Sequence, residues 1–174
     1  EEILRDRNRQ LEKTELIGLC RKDMELLSSY YQKEITAMHI AVRTSLPDNP
    51  LFIDGNAEQL GKTIMSLLNN GMYAIAKKYG KKAYPAEIGL ALESKDGQAV
   101  IRLYDNGVGI EQSILDKIFD PFFTTKTTGE AAGIGLYLSK EIILNHHGQI
   151  AVRSEKDELT EFTITLPLWE EKSV

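Results

Sequence analysis

Residues 88–109 read IGLALESKDGQAVIRLYDNGVG and predict a β-hairpin followed by a glycine-rich loop. Apolar residues alternate at Ile88, Leu90 and Leu92, the period of a strand with one buried face. Asp96-Gly97 is a strong signal for a two-residue hairpin turn. The return strand ends at Asp105, whose carboxylate is therefore placed at a strand terminus, where it can accept a hydrogen bond.

The segments around this hairpin predict the remaining layers of the fold. Apolar periodicity predicts helices from Thr14 to about Lys33, from about Ala57 to Tyr79 and from Ile134 to His147, the last stopped by Gly148. A short helix is predicted near Ser113 to Ile118. Alternation predicts strands at Met38–Val42, Ile150–Val152 and Phe162–Leu166, with a short apolar run at Leu51–Ile53. This order predicts an α/β two-layer sandwich, a mixed five-stranded sheet with about three helices on one face.

Composition narrows the classes of protein. The 174 residues favour one domain, and the net charge of -5 argues against a duplex nucleic-acid binder. The apolar runs fall far short of the roughly 20 residues that a membrane span needs. The single Cys20 excludes an intrachain disulfide framework, fits a reducing compartment and is predicted to lie in the core.

The first 13 residues differ in composition from the rest. Glu1 to Lys13 holds eight charged residues, with Leu4 and Leu11 seven positions apart. We interpret this segment as the trailing end of an upstream helix or coiled coil. The domain proper is then expected to span residues 14–174, and an upstream membrane segment stays open.

One stretch imitates a P-loop. Gly55 to Thr63 reads GNAEQLGKT, with five residues between its first glycine and the Gly-Lys pair, whereas a P-loop has four. The apolar spacing of Leu60 and Ile64 places that pair inside a helix, so we reject the P-loop interpretation.

Four short segments in fixed order carry the functional signal. They are SLLNNG at 66–71, DNGVG at 105–109, FDPFFTTK at 119–126 and GIGL at 133–136. This series resembles the N, G1, F and G2 boxes of the GHKL ATP-binding superfamily, and most closely its histidine-kinase branch. The resemblance covers residues 14–167 and implies the Bergerat ATP-binding fold, with ATP and Mg²⁺ as ligands.

The resemblance assigns the nucleotide base to the second segment and the metal to the first. Asp105 is expected to accept a hydrogen bond from the adenine amino group, while Gly107 and Gly109 let the backbone approach the ring. The carboxamide of Asn70 is expected to ligate Mg²⁺, which takes oxygen ligands, whereas Asn69 is expected to point to solvent. The structural alternatives are a tight acidic turn for Asp105 and a satisfied core amide for Asn70.

The other two segments are assigned to the phosphates. Gly133, Gly135 and Leu136 open a helix whose free N–H groups suit phosphate oxygens, although close helix packing would also explain the glycines. Lys126 is expected to neutralise the terminal phosphate as a catalytic residue together with Asn70. Residues 127–132 resemble an ATP lid, anchored by Phe119, Phe122 and Phe123.

Two positions depart from the family pattern. Ser66 stands where kinases often have a second asparagine and where the related ATPases have a water-activating glutamate. A serine without an evident base argues against efficient ATP hydrolysis and leaves kinase chemistry open. Ala131 replaces the first glycine of the fourth segment, so the backbone of the lid is expected to differ there.

The resemblance therefore predicts a protein histidine kinase catalytic domain that transfers the ATP γ-phosphoryl group to a histidine on a separate dimerisation domain. The implied partners are upstream phosphoacceptor helices, a response-regulator receiver domain and, in the full-length protein, a second copy of the chain. The implied location is the cytoplasm, or the cytoplasmic part of a membrane-bound sensor. Two alternatives stay open: a GHKL protein-serine kinase and a non-catalytic ATP-sensing module. None of His39, His146 and His147 is expected to be the phosphoacceptor.

Overall fold

The computed structural model describes residues 11–121, 123 and 136–171. Its strands are β1 (Glu12–Glu15), β2 (Ala41–Ser45), β3 (Phe52–Gly55), β4 (Glu87–Lys95), β5 (Gln98–Asp105), β6 (Gln149–Glu155) and β7 (Leu159–Pro167). Its helices are α1 (Leu16–Tyr30), α2 (Gln32–Ala37), α3 (Ala57–Tyr79), α4 (Gln112–Leu115) and α5 (Tyr137–Asn145). Helix α3 and the β4–β5 hairpin have the positions that the sequence predicts.

The main sheet is mixed and five-stranded, in the order β2-β4-β5-β7-β6. Strands β2 and β4 are parallel, and the other neighbours are antiparallel. The β4–β5 turn has positive φ at both Asp96 and Gly97, as a type I′ turn requires. The register places Ile88 and Thr160 on either side of Asp105, so the end of β5 lies between two neighbouring strands.

One face of this sheet carries the helices, which confirms the two-layer α/β sandwich. The core contains buried side chains from α1, α3 and α5 and from the central strands, including Leu16, Leu27, Ile64, Leu68, Ile75, Leu90, Ile101, Ile143 and Ile164. Cys20 is fully buried there, as predicted, and burial raises the pKa of its thiol to about 12. The thiol therefore stays protonated and unreactive at neutral pH.

The helix predicted from charge density up to Lys13 is not observed at the last two of its residues, which the structure describes. Glu12 and Lys13 do not continue a helix, because β1 pairs antiparallel with β3 in a separate two-stranded sheet. Helix α1 begins only at Leu16, since Glu15 has an extended backbone and its carboxylate accepts hydrogen bonds from the N–H groups of Ile17 and Gly18. Residues 1–10 lie outside the described residues, so the proposed upstream helix stays a prediction.

The strand predicted from Met38 begins later than the alternation indicates. Met38 caps α2, and His39 has φ 51, which is a left-handed turn rather than an extended backbone. The strand starts at Ala41, whose N–H donates to the Ala86 carbonyl. The predicted first helix is likewise divided at Tyr31 into α1 and α2.

The P-loop interpretation is excluded by the position of its residues. Gly61 and Lys62 lie within the first two turns of α3, not in a loop around a phosphate. Helix α3 starts after Asn56, whose side-chain oxygen accepts from the N–H of Gln59 and caps the helix.

None of the helices that the structure describes combines the length and the hydropathy that a membrane span needs.

Candidate functional site

A cavity of about 580 Å³ lies between α3, the loop after β5, α4 and the turn that joins β6 to β7. It brings together the predicted site residues Asn70, Asp105 and Gly109, which are distant in sequence. The remaining lining residues are Tyr73, Ala74, Lys77, Lys81, Val108, Ile110, Glu111, Ile114, Lys156, Asp157, Thr160 and Phe162. Polar groups thus converge in a concave, partly apolar space, as they do in small-molecule sites.

Asp105 is the buried acidic group of this cavity, with 5% of its surface exposed. Its Oδ1 accepts a hydrogen bond from the Gly107 N–H at 2.9 Å, which fixes the carboxylate at the end of β5. Burial raises its pKa to about 7, against the opposing effects of the Gly107 N–H and the Lys78 ammonium. A carboxylate held this way can accept a hydrogen bond from a ligand. Because an unpaired buried charge is costly, the site favours ligands that present a hydrogen-bond donor to Asp105.

Asn70 lies on the cavity side of α3, while its neighbour Asn69 is exposed. The Asn69 Oδ1 accepts a hydrogen bond from the Tyr31 hydroxyl at 2.7 Å, so Asn69 faces away from the cavity, as the 100° helical rotation predicts. The side-chain Nδ2 of Asn70 is buried and has no hydrogen-bond partner among the described residues. A buried amide N–H donor without a protein partner can donate to a ligand, and it does not fit the satisfied core amide of the alternative interpretation.

The two glycines of the loop are required by contacts within the protein. A Cβ at Gly107 would lie 2.5 Å from the Ala74 backbone carbon of α3. A Cβ at Gly109 would lie 2.5 Å from the Glu155 carbonyl oxygen, and Gly109 has φ +73. Both glycines therefore let the loop pack against α3 and the end of β6. The sequence suggested that these glycines let the backbone approach the adenine ring, whereas the structure shows that they are needed for packing within the protein. The role of Gly107 and Gly109 in nucleotide binding stays a prediction.

Backbone hydrogen bonds tie this loop to both of its neighbours. The Val108 N–H donates to the Ala74 carbonyl of α3 at 3.2 Å, and the Asp157 N–H of the β6–β7 turn donates to the Val108 carbonyl at 2.6 Å. The Ile110 N–H donates to the buried Ser154 hydroxyl oxygen at 2.7 Å. The loop that follows Asp105 is therefore part of a rigid frame.

Most of the predicted phosphate-binding residues lie outside the described part of the chain, namely Lys126, Gly133 and Gly135. Phe122 and the predicted lid at 127–132 also lie outside it. Leu136 is described and buried, and its N–H donates to the Ile118 carbonyl at 3.0 Å just before α5. Phe119 packs edge-on against Phe162, with ring centroids 6.5 Å apart. Phe119 therefore packs against the sheet, whereas its predicted role as an anchor of the lid and the roles of Lys126, Gly133, Gly135 and Leu136 stay predictions.

Sequence reasoning missed the lysines that line the cavity. Lys77 and Lys81 lie one and two turns after Tyr73 along the cavity side of α3 and the segment beyond it, and Lys156 enters from the β6–β7 turn. The spacing of positions 70, 73, 77 and 81 is that of one helical face, which was the available signal. Lys156 is paired with Glu111 at 3.3 Å, so Lys77 and Lys81 are the lining cations that would favour an anionic ligand.

His146 differs from its predicted role as a partly charged helix terminus. It is 2% exposed, its Nε2 accepts from the Asn56 N–H at 3.0 Å, and its Nδ1 lies 2.7 Å from the Ile142 carbonyl oxygen. This pattern requires the neutral tautomer with the proton on Nδ1, because Nε2 must accept. Burial lowers the pKa of the ring, so His146 is a neutral structural link between α5 and the start of α3.

The family model and the individual relatives that match this chain point to the same family. The family described as histidine kinase-, DNA gyrase B-, and HSP90-like ATPase matches residues 55–170. Sporulation kinase D of Bacillus subtilis is 34% identical over 123 residues, which cover 71% of this chain and 22% of that protein. The signal transduction histidine-protein kinase AtoS of Escherichia coli is 39% identical over 122 residues, covering 70% of this chain and 19% of that protein. The chain spans about a fifth of the length of these relatives.

Solved structures show the same fold. The catalytic domain of the histidine kinase ThkA has a TM-score of 0.70 at 24% identity, covering 90% of this chain and 95% of that chain. The mycobacterial sensor histidine kinase MprB has a TM-score of 0.71 at 20% identity, covering 90% of this chain and 98% of that chain. Since the family match spans well over half of the residues, the chain belongs to the histidine kinase-, DNA gyrase B- and HSP90-like ATPase family.

Proposed function

We propose that this domain binds Mg-ATP in the described cavity and transfers the γ-phosphoryl group to a histidine on a separate dimerisation domain. The observation that carries the proposal is the convergence of the buried Asp105 carboxylate, the unpartnered Asn70 amide and lysine side chains in one cavity of about 580 Å³. An acceptor for a base amine, an oxygen ligand for a cation and lysine ammonium groups are groups that bind a nucleoside triphosphate.

Asp105 would select the base. Adenine presents an amino group that donates to a carboxylate, whereas guanine presents a carbonyl at the same position. Placing that carbonyl against a buried carboxylate would leave two acceptors facing each other, so GTP should bind poorly. The raised pKa of Asp105, about 7, means that the acceptor form dominates only above neutral pH in the free protein.

Asn70 fits the role of the Mg²⁺ ligand. Asn70 lines the cavity, and its side-chain carbonyl oxygen is the kind of ligand that Mg²⁺ takes. Mg²⁺ is commonly held by one or two protein oxygens together with phosphate and water, so one asparagine suffices as the protein's share. When bound, the ion would neutralise charge on the phosphates. We assign the charge on the terminal phosphate to Lys126, with Gly133, Gly135 and Leu136 beside the phosphates.

Kinase chemistry is favoured over hydrolysis by Ser66. This residue lies one turn before Asn70 on α3, where a glutamate would activate water in the related ATPases. A serine hydroxyl at that position is a poor general base. The chain's own share of the reaction is therefore to orient the nucleotide and neutralise its charge, which is the usual burden in phosphoryl transfer.

The relatives named as kinases support a histidine acceptor over the two alternatives, a protein-serine kinase and a non-catalytic ATP sensor. The remaining parts of the proposal are upstream phosphoacceptor helices, a receiver domain that takes the phosphoryl group onward, a homodimer of the full-length protein and a cytoplasmic location. They follow from the role that such a domain has in two-component signalling.

The test has two stages. Calorimetry should show ATP binding that depends on Mg²⁺ and exceeds GTP binding. Label from γ-labelled ATP should then transfer to a supplied helical hairpin carrying a phosphoacceptor histidine, and His→Gln in that hairpin should abolish transfer. ATP binding without transfer to any supplied histidine hairpin would favour the sensing module, and acid-stable label on a serine would favour the serine kinase.

A further inference from the structure

Lys78 lies in the last turn of α3, and its ammonium group reaches two loops at once. The Nζ atom donates to the Asn106 carbonyl oxygen at 3.2 Å and to the Asp157 carbonyl oxygen at 2.5 Å. It also lies 4.3 Å from the centroid of the Tyr84 ring, within the range of a cation–π contact. One half-buried cation therefore contacts the loop after β5, the β6–β7 turn and the segment that precedes β4.

These contacts surround the residue that we assign to the base. Asn106 directly follows Asp105, and its side chain is occupied elsewhere, with Oδ1 accepting from the Glu87 N–H and Nδ2 donating to the Pro85 carbonyl. Asp157 donates its own N–H to the Val108 carbonyl, so the loop and the turn are already joined on one side. The ammonium of Lys78 closes the other side by binding one carbonyl from each.

The electrostatic setting favours a shared, positively charged donor at this point. Two carbonyl oxygens converge there, and without a shared donor their dipoles would repel each other across a partly buried space. The turn adds Asp157 and Glu158, and the positive charge of Lys78 acts on Glu158 and on the buried Asp105. Lys156 of the same turn is engaged with Glu111 at 3.3 Å, away from this junction.

We propose that Lys78 is a positioning residue for base recognition: its ammonium fixes the loop that carries Asp105 against the β6–β7 turn, so that the carboxylate is held for the amino group of adenine. The inference rests on the proposed nucleotide site. It adds a specificity-determining residue that does not itself line the cavity and that acts through the Asn106 and Asp157 carbonyls.

The experiment compares two ligands across matched variants. ADP and purine riboside diphosphate differ only in the 6-amino group, and calorimetry with each measures what that group contributes. Lys78→Met should reduce ADP affinity roughly tenfold, the effect of one misaligned buried hydrogen bond, and change the affinity of the analogue little. Lys78→Arg keeps the charge and the donors and should restore most of the preference. Lys82→Met, an exposed lysine on the adjoining turn, should leave both affinities unchanged.

The outcomes separate the inference from the function on which it rests. Equal losses for both ligands in Lys78→Met, or an unchanged preference for ADP, would overturn the positioning role. A wild-type protein that binds neither ligand would overturn the nucleotide site, and one that binds both equally would remove the role of Asp105 and the inference with it. Thermal melting checks that each variant folds. If Lys78→Met does not fold, Lys78→Gln, which keeps a donor without the charge, replaces it. Lys78→Gln and Lys78→Arg are then compared by the ratio of their affinities for ADP and for purine riboside diphosphate.

Discussion

Gly71 of α3 lies directly against Asp105 of β5: a Cβ on Gly71 would be 3.2 Å from the Asp105 Oδ2 and 3.0 Å from the Ile88 Cδ1. The absence of a side chain at Gly71 thus lets the buried carboxylate rest on the helix that carries Asn70. The two proposed ligand contacts, at Asp105 and Asn70, are coupled through one close approach between a helix and a strand end.

Gly71→Val should displace the Asp105 carboxylate, because the γ-methyl groups extend beyond a position that is already crowded. We expect ADP affinity to fall at least about tenfold, as when a buried hydrogen bond is misaligned. Gly61→Val, on the same helix, is the matched control, since its Cβ would meet nothing closer than 3.6 Å. Calorimetry on both variants tests the relationship, and equal ADP affinities would contradict it.

Asp105→Asn should weaken nucleotide binding and yet stabilise the fold at alkaline pH. The pKa of Asp105 in the folded chain is about 7, above its ordinary value of 3.8, so the folded state holds a proton that the unfolded chain releases. Stability therefore falls as pH rises between about 4 and about 7, and the penalty is complete above that window. Asparagine cannot ionise and avoids this penalty, while its oxygen can still accept from Gly107.

Chemical unfolding at several pH values measures this effect. The wild type should lose stability relative to Asp105→Asn as the pH rises, by at least about 1 kcal/mol at about pH 8. Asp23→Asn is the control, because burial raises the pKa of Asp23 to about 6 and it lies on α1, away from the cavity lining. Asp23→Asn should also gain stability relative to the wild type as the pH rises, and it should bind ADP with the affinity of the wild type. Parallel pH profiles for the wild type and Asp105→Asn would refute the buried ionisation.

The parts of the fold that local patterns specify were predicted well. The spacing of apolar residues locates α3 at its observed ends, and Asp96-Gly97 locates the hairpin turn, because both signals lie within a few residues of the structure that they determine. Asn70 and Asp105, which the family resemblance singled out, both line the cavity, and local patterns explain their positions. Each is a polar residue at a position where the local pattern predicts burial or a strand end.

Features set by distant pairing were not predicted. Strand β1 depends on β3, some forty residues away, so its charged sequence resembled a helix end. The burial of His146 depends on the Asn56 N–H, and the role of Lys78 on two carbonyl groups from separate loops. In each case the side chain alone indicates a solvated surface residue, and only the tertiary arrangement supplies the partner.

His147→Gly should stabilise the domain. His147 has φ 60 just after α5, where the Gly148 N–H donates to the Ile143 carbonyl and the His147 N–H to the Leu144 carbonyl. These bonds form a Schellman motif, whose left-handed residue is usually glycine. Relief of the left-handed strain should add roughly 0.5–1 kcal/mol to the free energy of unfolding. His147→Ala removes the ring without that relief and should show no gain, so equal stability of the two variants would contradict this account.

Asn70→Ala should separate the metal from the nucleotide. If the Asn70 carbonyl ligates Mg²⁺, its loss weakens Mg-ATP much more than metal-free ADP. Asn69→Ala is the matched control on the adjacent residue, since Asn69 is exposed and bonded to Tyr31 rather than directed into the cavity. Calorimetry with and without Mg²⁺ gives the four affinities. A uniform loss for both ligands in Asn70→Ala would assign the residue to the nucleotide alone.

The isolated chain should bind ATP without phosphorylating itself, because none of its histidines is a suitable acceptor. His146 is 2% exposed and uses both ring nitrogens, so it has no free lone pair for attack. His147 is exposed at the far end of the nine-residue helix α5. It lies about 13 Å from the start of that helix, beside which we place the phosphates. In-line transfer needs the acceptor within about 3–3.5 Å of the reacting phosphorus. His39 is exposed in the turn before β2 and does not line the cavity.

Incubation with γ-labelled ATP and Mg²⁺ measures self-labelling directly, and dilution separates its two possible routes. Label within one molecule would form at a rate proportional to protein concentration, whereas label passed between molecules through the exposed His39 or His147 would rise with its square. We expect neither, and label only on a supplied histidine hairpin. Acid-labile label on the chain alone that is lost in His39→Gln or His147→Gln would show that the acceptor lies within this domain. It would also mean that the reacting geometry is reached without any upstream helix.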